Sequence, residues 1–480
     1  MSASPRLLRS MAIALAMMAV LYARSTRAMD LFGVDNGPPS SPSTNALLGT
    51  RNTGCVFGKA PTSPLSLDEA IERALCSNPR TREAWATVKL QASRLGISKS
   101  AYLPTLSLTL ERDGSDIETT VPSNRLLDSG GLQLSNTQAL VLNWVILDAS
   151  RGFDVSNSES MLEAAQANHA DVLLSVFSDL SHDYFAVQAA QAALKSAIDL
   201  KATSQSSFLA AKSRADRGVA PISDALQAQT ALAEADLALV RAQGEMRTAT
   251  GSLAWRMGLR PDSTLVLPTT DENALAVPPS GAAIETLITR AQEEHPHAVQ
   301  AARLLDAAKA RVQQARADLL PKLSLSMRAG HDSKPVTPYT GSPTIDSRSR
   351  FRTASLSLSV PLFDGFGSNY RIEQAERTME VSRAQLDEAR QQVANDVLAA
   401  YQSVETAYAT FEHSHELLAT ASASFMAANE RYRAGVGSIS DLLSAQAALT
   451  NANNRKLQAL SDWRSANAVL WAKLGQIRST

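Results

Sequence analysis

Tyr102-Leu-Pro-Thr-Leu-Ser-Leu108 and Leu319-Leu-Pro-Lys-Leu-Ser-Leu325 are two copies of one pattern, a helix-closing proline followed by alternating apolar and polar residues. Proline disfavours helix at the residue before it, and period-two alternation places every apolar side chain on one face of a strand. After the first proline, Leu106, Leu108 and Leu110 alternate with Thr105, Ser107 and Thr109. After the second, Leu323, Leu325 and Met327 alternate with Ser324, Ser326 and Arg328, and Leu356, Leu358 and Val360 repeat the scheme against Ser355, Ser357 and Ser359. A fourth, less regular strand spans Thr137 to Leu147. Strands are expected at about 103–112, 137–147, 321–330 and 352–361. A sheet with one apolar and one polar face suits a transmembrane β-strand, and equally a half-buried soluble hairpin.

The pattern belongs to a larger duplication. Pro79 and Pro296, Pro104 and Pro321, Gly218 and Gly435, Asp224 and Asp441, and Gly258 and Gly475 are each 217 positions apart. The copies open with Leu67-Asp-Glu-Ala-Ile-Glu-Arg-Ala-Leu75 before Asn78-Pro79, and with Ile284-Glu-Thr-Leu-Ile-Thr-Arg-Ala291 before His295-Pro296. A period this long marks two structural units, not a solenoid of short repeats. The first repeat is assigned to 65–260, a Pro-, Thr- and Ser-rich linker to 261–281, and the second repeat to 282–478.

Within each repeat the composition switches to long helix. Ser150–Arg217 and Ser368–Ala434 carry no proline and little glycine, and about 67 residues at 1.5 Å each make roughly 100 Å of helix. Helices of that length need packed neighbours along their sides, as in coiled coils. Each ends at a short turn, Arg217-Gly-Val-Ala-Pro-Ile-Ser-Asp224 and Ala434-Gly-Val-Gly-Ser-Ile-Ser-Asp441. Glycine suits the left-handed helix cap, and Ser or Asp suits the next N-cap. Returning helices then run over about 224–257 and 441–474, so each copy is a tall helical hairpin with two strands.

Four strands cannot close a barrel, and open strand edges are not tolerated in lipid. Either the strands stay out of a membrane or several chains pool them. The first 28 residues have the form of a secretory signal peptide: Arg6 and Arg9, an apolar run from Met11 to Tyr22, then small residues at Thr26 and Ala28, with Ala23 as an alternative cleavage position. The run is short for the alternative of an N-terminal anchor. Elsewhere the longest apolar run, Ala139–Leu147, is interrupted by Asn143, which leaves membrane entry to strands. Residues 29–64 form an irregular extension rich in Gly, Pro, Ser, Thr and Asn.

Charge and motifs exclude several classes. With 46 basic and 47 acidic residues the net charge is −1, which offers no basic field for nucleic acid. No His-Glu-x-x-His, phosphate-binding loop or Gly-x-Ser-x-Gly occurs, so neither a catalytic constellation nor a cofactor site is expected. His413 and His415 flank Ser414 on one helix and point to different faces, a poor metal pair. Gly435-Val-Gly437 follows a helix and not a strand, so it is no dinucleotide fingerprint. Cys55 and Cys76 are the two cysteines. In an exported chain they suit a disulfide clamping the N-terminal segment to the first helix, the alternative being two free thiols.

The duplication, the Asn-Pro and Leu-Pro-x-Leu-Ser-Leu signatures and the paired Gly-x-x-x-Ile-Ser-Asp turns resemble the TolC family of outer-membrane factors. Val360-Pro-Leu-Phe-Asp364-Gly, with its weaker counterpart Val145-Ile-Leu-Asp148-Ala, is similar to that family's strand-to-helix junction. The resemblance covers about 65–478. It implies a mainly α chain with membrane β-structure: a long α-helical coiled-coil barrel, plus four strands per chain contributing to a trimeric twelve-stranded transmembrane β-barrel. Ala74-Leu-Cys-Ser-Asn-Pro-Arg-Thr-Arg-Glu-Ala-Trp85 resembles, more narrowly, the outer-membrane components of cyclolysin-exporting type I secretion systems.

From that resemblance follow a homotrimer in outer-membrane lipid, a periplasmic adaptor, an inner-membrane ABC transporter and an exported polypeptide cargo. The two turns are expected at the periplasmic tip. Asp224 and Asp441 are candidates for acidic rings around the axis, with N-capping as their alternative role. Ser223 and Tyr432 match positions that members use in gate contacts, and Gly218 and Gly435 are candidate adaptor-docking positions. Gly437 and Ser444 replace a gate arginine and a second acidic ring, so a gate held by hydrogen bonds and packing is expected in place of a charged latch. The rival readings are a multidrug-efflux conduit of the same architecture and an exported coiled-coil scaffold that never enters a membrane.

Overall fold

The computed structural model describes residues 64–116, 118–124, 128, 132–268, 284–336, 343 and 345–477. The expected signal peptide, nearly all of the segment expected to be irregular, Cys55 and most of the expected linker lie outside the described residues. The first repeat runs α1 (Leu67–Ser77), α2 (Pro79–Ser100), β1 (Thr105–Asp116), β2 (Leu132–Leu147), α3 (Ser150–Asp216) and α4 (Ile222–Arg256). The second runs α5 (Ile284–Glu294), α6 (Pro296–Ala317), β3 (Lys322–Val336), β4 (Ile345–Ser359), α7 (Gly367–Arg433) and α8 (Ile439–Lys473). Both long helices have 67 residues and both returning helices 35.

The opening helix expected in each repeat is two helices, split at Asn78 and at His295. The break is a built N-cap. Asn78 Oδ1 accepts the Arg80 amide at 2.9 Å, and Pro79 takes the first helical position, where no amide is needed. In the second repeat His295 Nδ1 accepts the His297 amide at 3.2 Å, and Pro296 follows it.

The strands are longer than the alternation suggested, extending through Asp116, back to Leu132, through Val336 and back to Ile345. In β1 the added residues, Asp113 to Asp116, are polar on both faces; in the other strands isolated apolar residues such as Leu134 and Phe351 stand among polar ones, too few to carry the alternation on. The chain resolves into two compact units. In one, formed by residues 89–162 and 306–379, the strands make an antiparallel sheet in the order β1-β2-β3-β4. Register places Leu106, Leu142, Met327 and Ala354 in one row across the sheet, and Leu108, Leu140, Ala329 and Arg352 in the next. Of the apolar residues in these two rows, every leucine but Leu142 and the methionine are exposed in the single chain. Asp148 ties strand to helix: its Oδ1 accepts the Ser150 amide and hydroxyl at 3.0 and 2.7 Å, and Lys322 lies 3.3 Å away. Asn157 Nδ2 donates to the Ala307 carbonyl at 2.8 Å, joining α3 to α6 within this unit.

The other unit holds the main apolar core. Ile71, Ala74 and Leu75 of α1 pack against Leu173, Phe177 and Leu180 of α3, with Leu253 and Met257 from the end of α4. Burying several such side chains contributes about 1.5–3 kcal/mol each. Ser66 caps α1 by accepting the Glu69 amide, and Asp68 and Glu69 sit favourably in its first turn. Arg256 pairs with Asp179 and Asp183, both at 2.8 Å. Tyr184 donates to the Leu65 carbonyl at 3.0 Å, and burial pushes its phenol up to about 12. Cys76, in α1, is disulfide-bonded.

Candidate functional site

Both helical turns are Schellman caps. In the first, the Gly218 amide donates to the Ala215 carbonyl at 2.8 Å and the Val219 amide to Arg214 at 3.0 Å. In the second, Gly435 donates to Tyr432 at 3.1 Å and Val436 to Arg431 at 3.0 Å. Gly218 and Gly435 have φ of 71° and 80°, the left-handed conformation this cap demands. Space around them differs. A Cβ on Gly218 would meet nothing within 4 Å, whereas one on Gly435 would lie 3.2 Å from Arg214 Nη2.

The returning helices begin two residues earlier than expected. Ser438 is the N-cap of α8 and accepts the Asp441 amide at 3.0 Å. Its counterpart Pro221 begins α4 with no side-chain cap. Asp224 and Asp441 are therefore not N-caps; each sits in the first turn, where a carboxylate is stabilised by the helix dipole without capping it. Among the described residues neither is ion-paired. Asp441 is exposed and Asp224 half-buried, and Ser223 Oγ donates to Asp224 Oδ1 at 3.4 Å. The two turns also present Val219, Ile222 and Val436 at 66%, 76% and 78% exposure, an apolar rim around the glycines.

Tyr432 behaves differently from Ser223 and the acids. It is buried at 5% exposure among Ala211, Ala228, Ile439 and Leu442, and its hydroxyl has no partner among the described residues. Over its ring lies Arg214, from the last turn of α3, with Cζ 5.0 Å from the centroid. Arg214 Nη1 also donates to the Tyr432 carbonyl at 2.8 Å, so a first-repeat arginine caps the C-terminus of a second-repeat helix. One guanidinium thus supplies a cation–π contact and a charged hydrogen bond between the two hairpins. The sequence reading missed Arg214, because only the packing of α3 on α7 distinguishes it from other arginines on these helices.

Elsewhere in the same unit the helix–helix seam is polar at intervals. Between α3 and α8, Ser204 Oγ accepts from Gln446 Nε2 at 2.7 Å, Ser196 Oγ from Asn453 Nδ2 at 2.8 Å, and His182 Nδ1 lies 3.1 Å from Ser465 Oγ. No group of three metal-ligating side chains occurs among the described residues, and no described helix is long and apolar enough to span a membrane.

An antiparallel sheet with an exposed leucine face and a pair of long helical hairpins are the parts that a subunit of an outer-membrane channel requires. The family model described as outer membrane efflux protein matches residues 70–259 and 287–476, one segment in each repeat. Protein CyaE of Bordetella pertussis is 31% identical over 423 residues, covering 87% of this chain and 85% of that protein. Alkaline protease secretion protein AprF of Pseudomonas aeruginosa is 31% identical over 182 residues, 38% of this chain and 36% of its own. Among solved structures the outer-membrane channel OprN superposes with a TM-score of 0.71 at 21% identity, covering 85% of this chain and 89% of that one. VceC of Vibrio cholerae gives 0.70 at 18% identity, over 85% and 96%. This chain belongs to the outer membrane efflux protein family, the TolC-like channels of the outer membrane.

Proposed function

We propose that this chain is the outer-membrane channel-tunnel of a type I secretion system, passing a polypeptide cargo without chemically altering it. The observation that carries the reading is the match to CyaE along nearly the whole chain, joined by that to a protein named for alkaline protease secretion. In this reading three chains pool their strands into a twelve-stranded barrel, because four strands alone would leave edges open to lipid. The two turns form the periplasmic tip. Gly218 and Gly435, inside the rim of Val219, Ile222 and Val436, receive the hairpin of a periplasmic adaptor, which links the channel to an inner-membrane ABC transporter. Asp224 and Asp441 repeat around the axis as acidic rings. Ser223 and Tyr432 belong to the gate, which closes by packing and hydrogen bonds. Residues 1–28 are removed as a signal peptide, and Cys55 pairs with Cys76.

A multidrug-efflux role is the second reading, favoured by the 24% identity over 425 residues to toluene efflux pump protein TtgC of Pseudomonas putida. Deleting the gene separates the two. Loss of one or more secreted polypeptides with unchanged drug susceptibility supports secretion. Unchanged secretion with increased drug susceptibility assigns the channel to efflux.

A further inference from the structure

The apolar face of the sheet ends in arginines. Arg348, Arg350 and Arg352 share a parity on β4 with the apolar Leu356 and Leu358, and register sets them on the face that carries Leu108 and Leu140. Arg112 on β1 lies in the same row as Arg348, through Asn136 and Ser333. All four are exposed, and among the described residues none has an ion pair or hydrogen bond through its side chain. Arg328, on the opposite face, does have a partner, the Phe351 ring at 5.1 Å. Near these arginines the carboxylates of Glu111, Asp113 and Asp332 take the opposite face. On the arginine face acids come only farther out, Asp346 one row beyond Arg348 and Asp116 two rows beyond Arg112.

Arginine cannot shed its charge, and on a lipid-facing surface it is tolerated only near the interface. The edge between leucine and arginine is oblique. On β4 it falls between Ala354 and Arg352, and on β1 between Leu110 and Arg112, two rows farther along. Four residues of rise, about 13 Å, across three strand spacings, about 14 Å, make a slope of roughly 43°. Transmembrane strands tilt by about 35–45°, an angle of the same size, and a tilt in the compensating direction brings this edge level with the membrane plane. The opposite boundary, where strands meet helices, is aromatic instead: Tyr102, Trp144, Phe363 and Tyr370 are exposed there.

We propose that these arginines form a cationic girdle that holds the phosphate groups of lipid headgroups in the outer leaflet. The leucine band enters the hydrocarbon, and the guanidiniums meet phosphate oxygens bidentately just above it. The inference rests on the reading that the sheet enters the outer membrane with its hairpin ends outward.

The test uses the full-length protein purified from outer membranes. Native mass spectrometry would measure binding of bis-phosphorylated lipid A and of its dephosphorylated form. The phosphorylated lipid should bind at least tenfold more tightly, and millimolar inorganic phosphate should not displace it. The triple variant Arg348→Gln, Arg350→Gln, Arg352→Gln should lose at least tenfold, given about fivefold per charge, and the matching triple Lys variant should regain most of it. Equal binding of the two lipids by the unaltered protein overturns the proposal, with no variant needing to fold. Displacement by inorganic phosphate would make it a free-anion site and overturn it too. A trimer from the outer membrane that ignores phosphorylation sinks the girdle alone. Recovery of the chain outside that membrane sinks the channel reading beneath it.

Discussion

Gly218 and Gly435 have the same backbone conformation but different surroundings, and the difference separates two roles. Alanine at Gly218 meets only the left-handed φ, so Gly218→Ala should cost about 1 kcal/mol in thermal unfolding. Tryptophan there adds bulk in open space at the proposed docking rim; the trimer should form while export falls steeply. Loss of the trimer would give Gly218 a folding role instead. Arg214→Ala removes both the cation–π contact and the Tyr432 cap, about 2 kcal/mol together, and should raise single-channel conductance in planar bilayers. Arg214→Lys keeps the charge but not the planar stack and should fall between. Unchanged conductance in Arg214→Ala would remove this contact from the gate. His295 and His169 carry a pH signature, since burial pushes both below the ordinary histidine value. Around His295, Asp171 opposes that shift while Lys473 and His297 reinforce it; Lys473 is itself paired with Asp396. The folded state resists protons that the unfolded chain accepts from about pH 6.5 downward. Stability should therefore be full above that pH and decline as pH falls through the depressed folded values. His295→Asn, copying Asn78, keeps an N-cap acceptor and should flatten the decline; an unaltered melting-temperature profile would contradict this.

At the level of elements, the seam between α3 and α8 decides how the repeats join. Its polar rungs, Ser204–Gln446, Ser196–Asn453 and His182–Ser465, oppose rising α3 numbers to falling α8 numbers, an antiparallel pairing. Small apolar residues alone would leave such long helices free to slip, whereas a buried polar pair penalises every other register. Gln446→Ala strands the buried Ser204 hydroxyl and should cost about 1–3 kcal/mol in chemical denaturation. No loss of stability would mean that water already serves the pair. These rungs show where sequence reading stops. Helix length, the strands and both turns were legible because propensity, period two and the 217-residue offset are local or self-referential signals. The break at His295 was not, because it requires an imidazole to act as Asn78 does. Nor was the extension of β1 past Arg112, where both faces are polar. Arg214 was hidden for a third reason: its partner Tyr432 is 218 residues away, and only tertiary packing names it. For the acids at 224 and 441, N-capping was the alternative to an acidic ring, and that alternative falls: the cap is Ser438 in one turn and, without a side-chain bond, Pro221 in the other.

For the whole molecule, the sheet makes a demand that a single chain cannot meet. β1 and β4 are its edges, and its leucine face is exposed, an arrangement that would invite aggregation in water. Pooling strands from three chains removes both liabilities at once: edges pair with edges, and the leucines meet lipid. Adjacent positions on β2 test this. Leu140 lies on the leucine face and Val141 on the opposite one, and both pair with β1 and β3 in the same ladders. In a closed membrane barrel Leu140→Arg places a cation toward the hydrocarbon, at a cost of about 2–4 kcal/mol near the midplane and less toward the interface. Val141→Arg faces the lumen, where water solvates it. Leu140→Arg should therefore lower the temperature at which the trimer from outer membranes dissociates on unheated gels, while Val141→Arg should leave it close to that of the unaltered protein. In a soluble two-faced sheet whose leucines pack on another protein, the trimer would not partition with the outer membrane at all. In a barrel turned inside out the two variants would exchange behaviour. A matched, mild effect of both would mean that neither face meets lipid, and the pooled barrel would have to be abandoned.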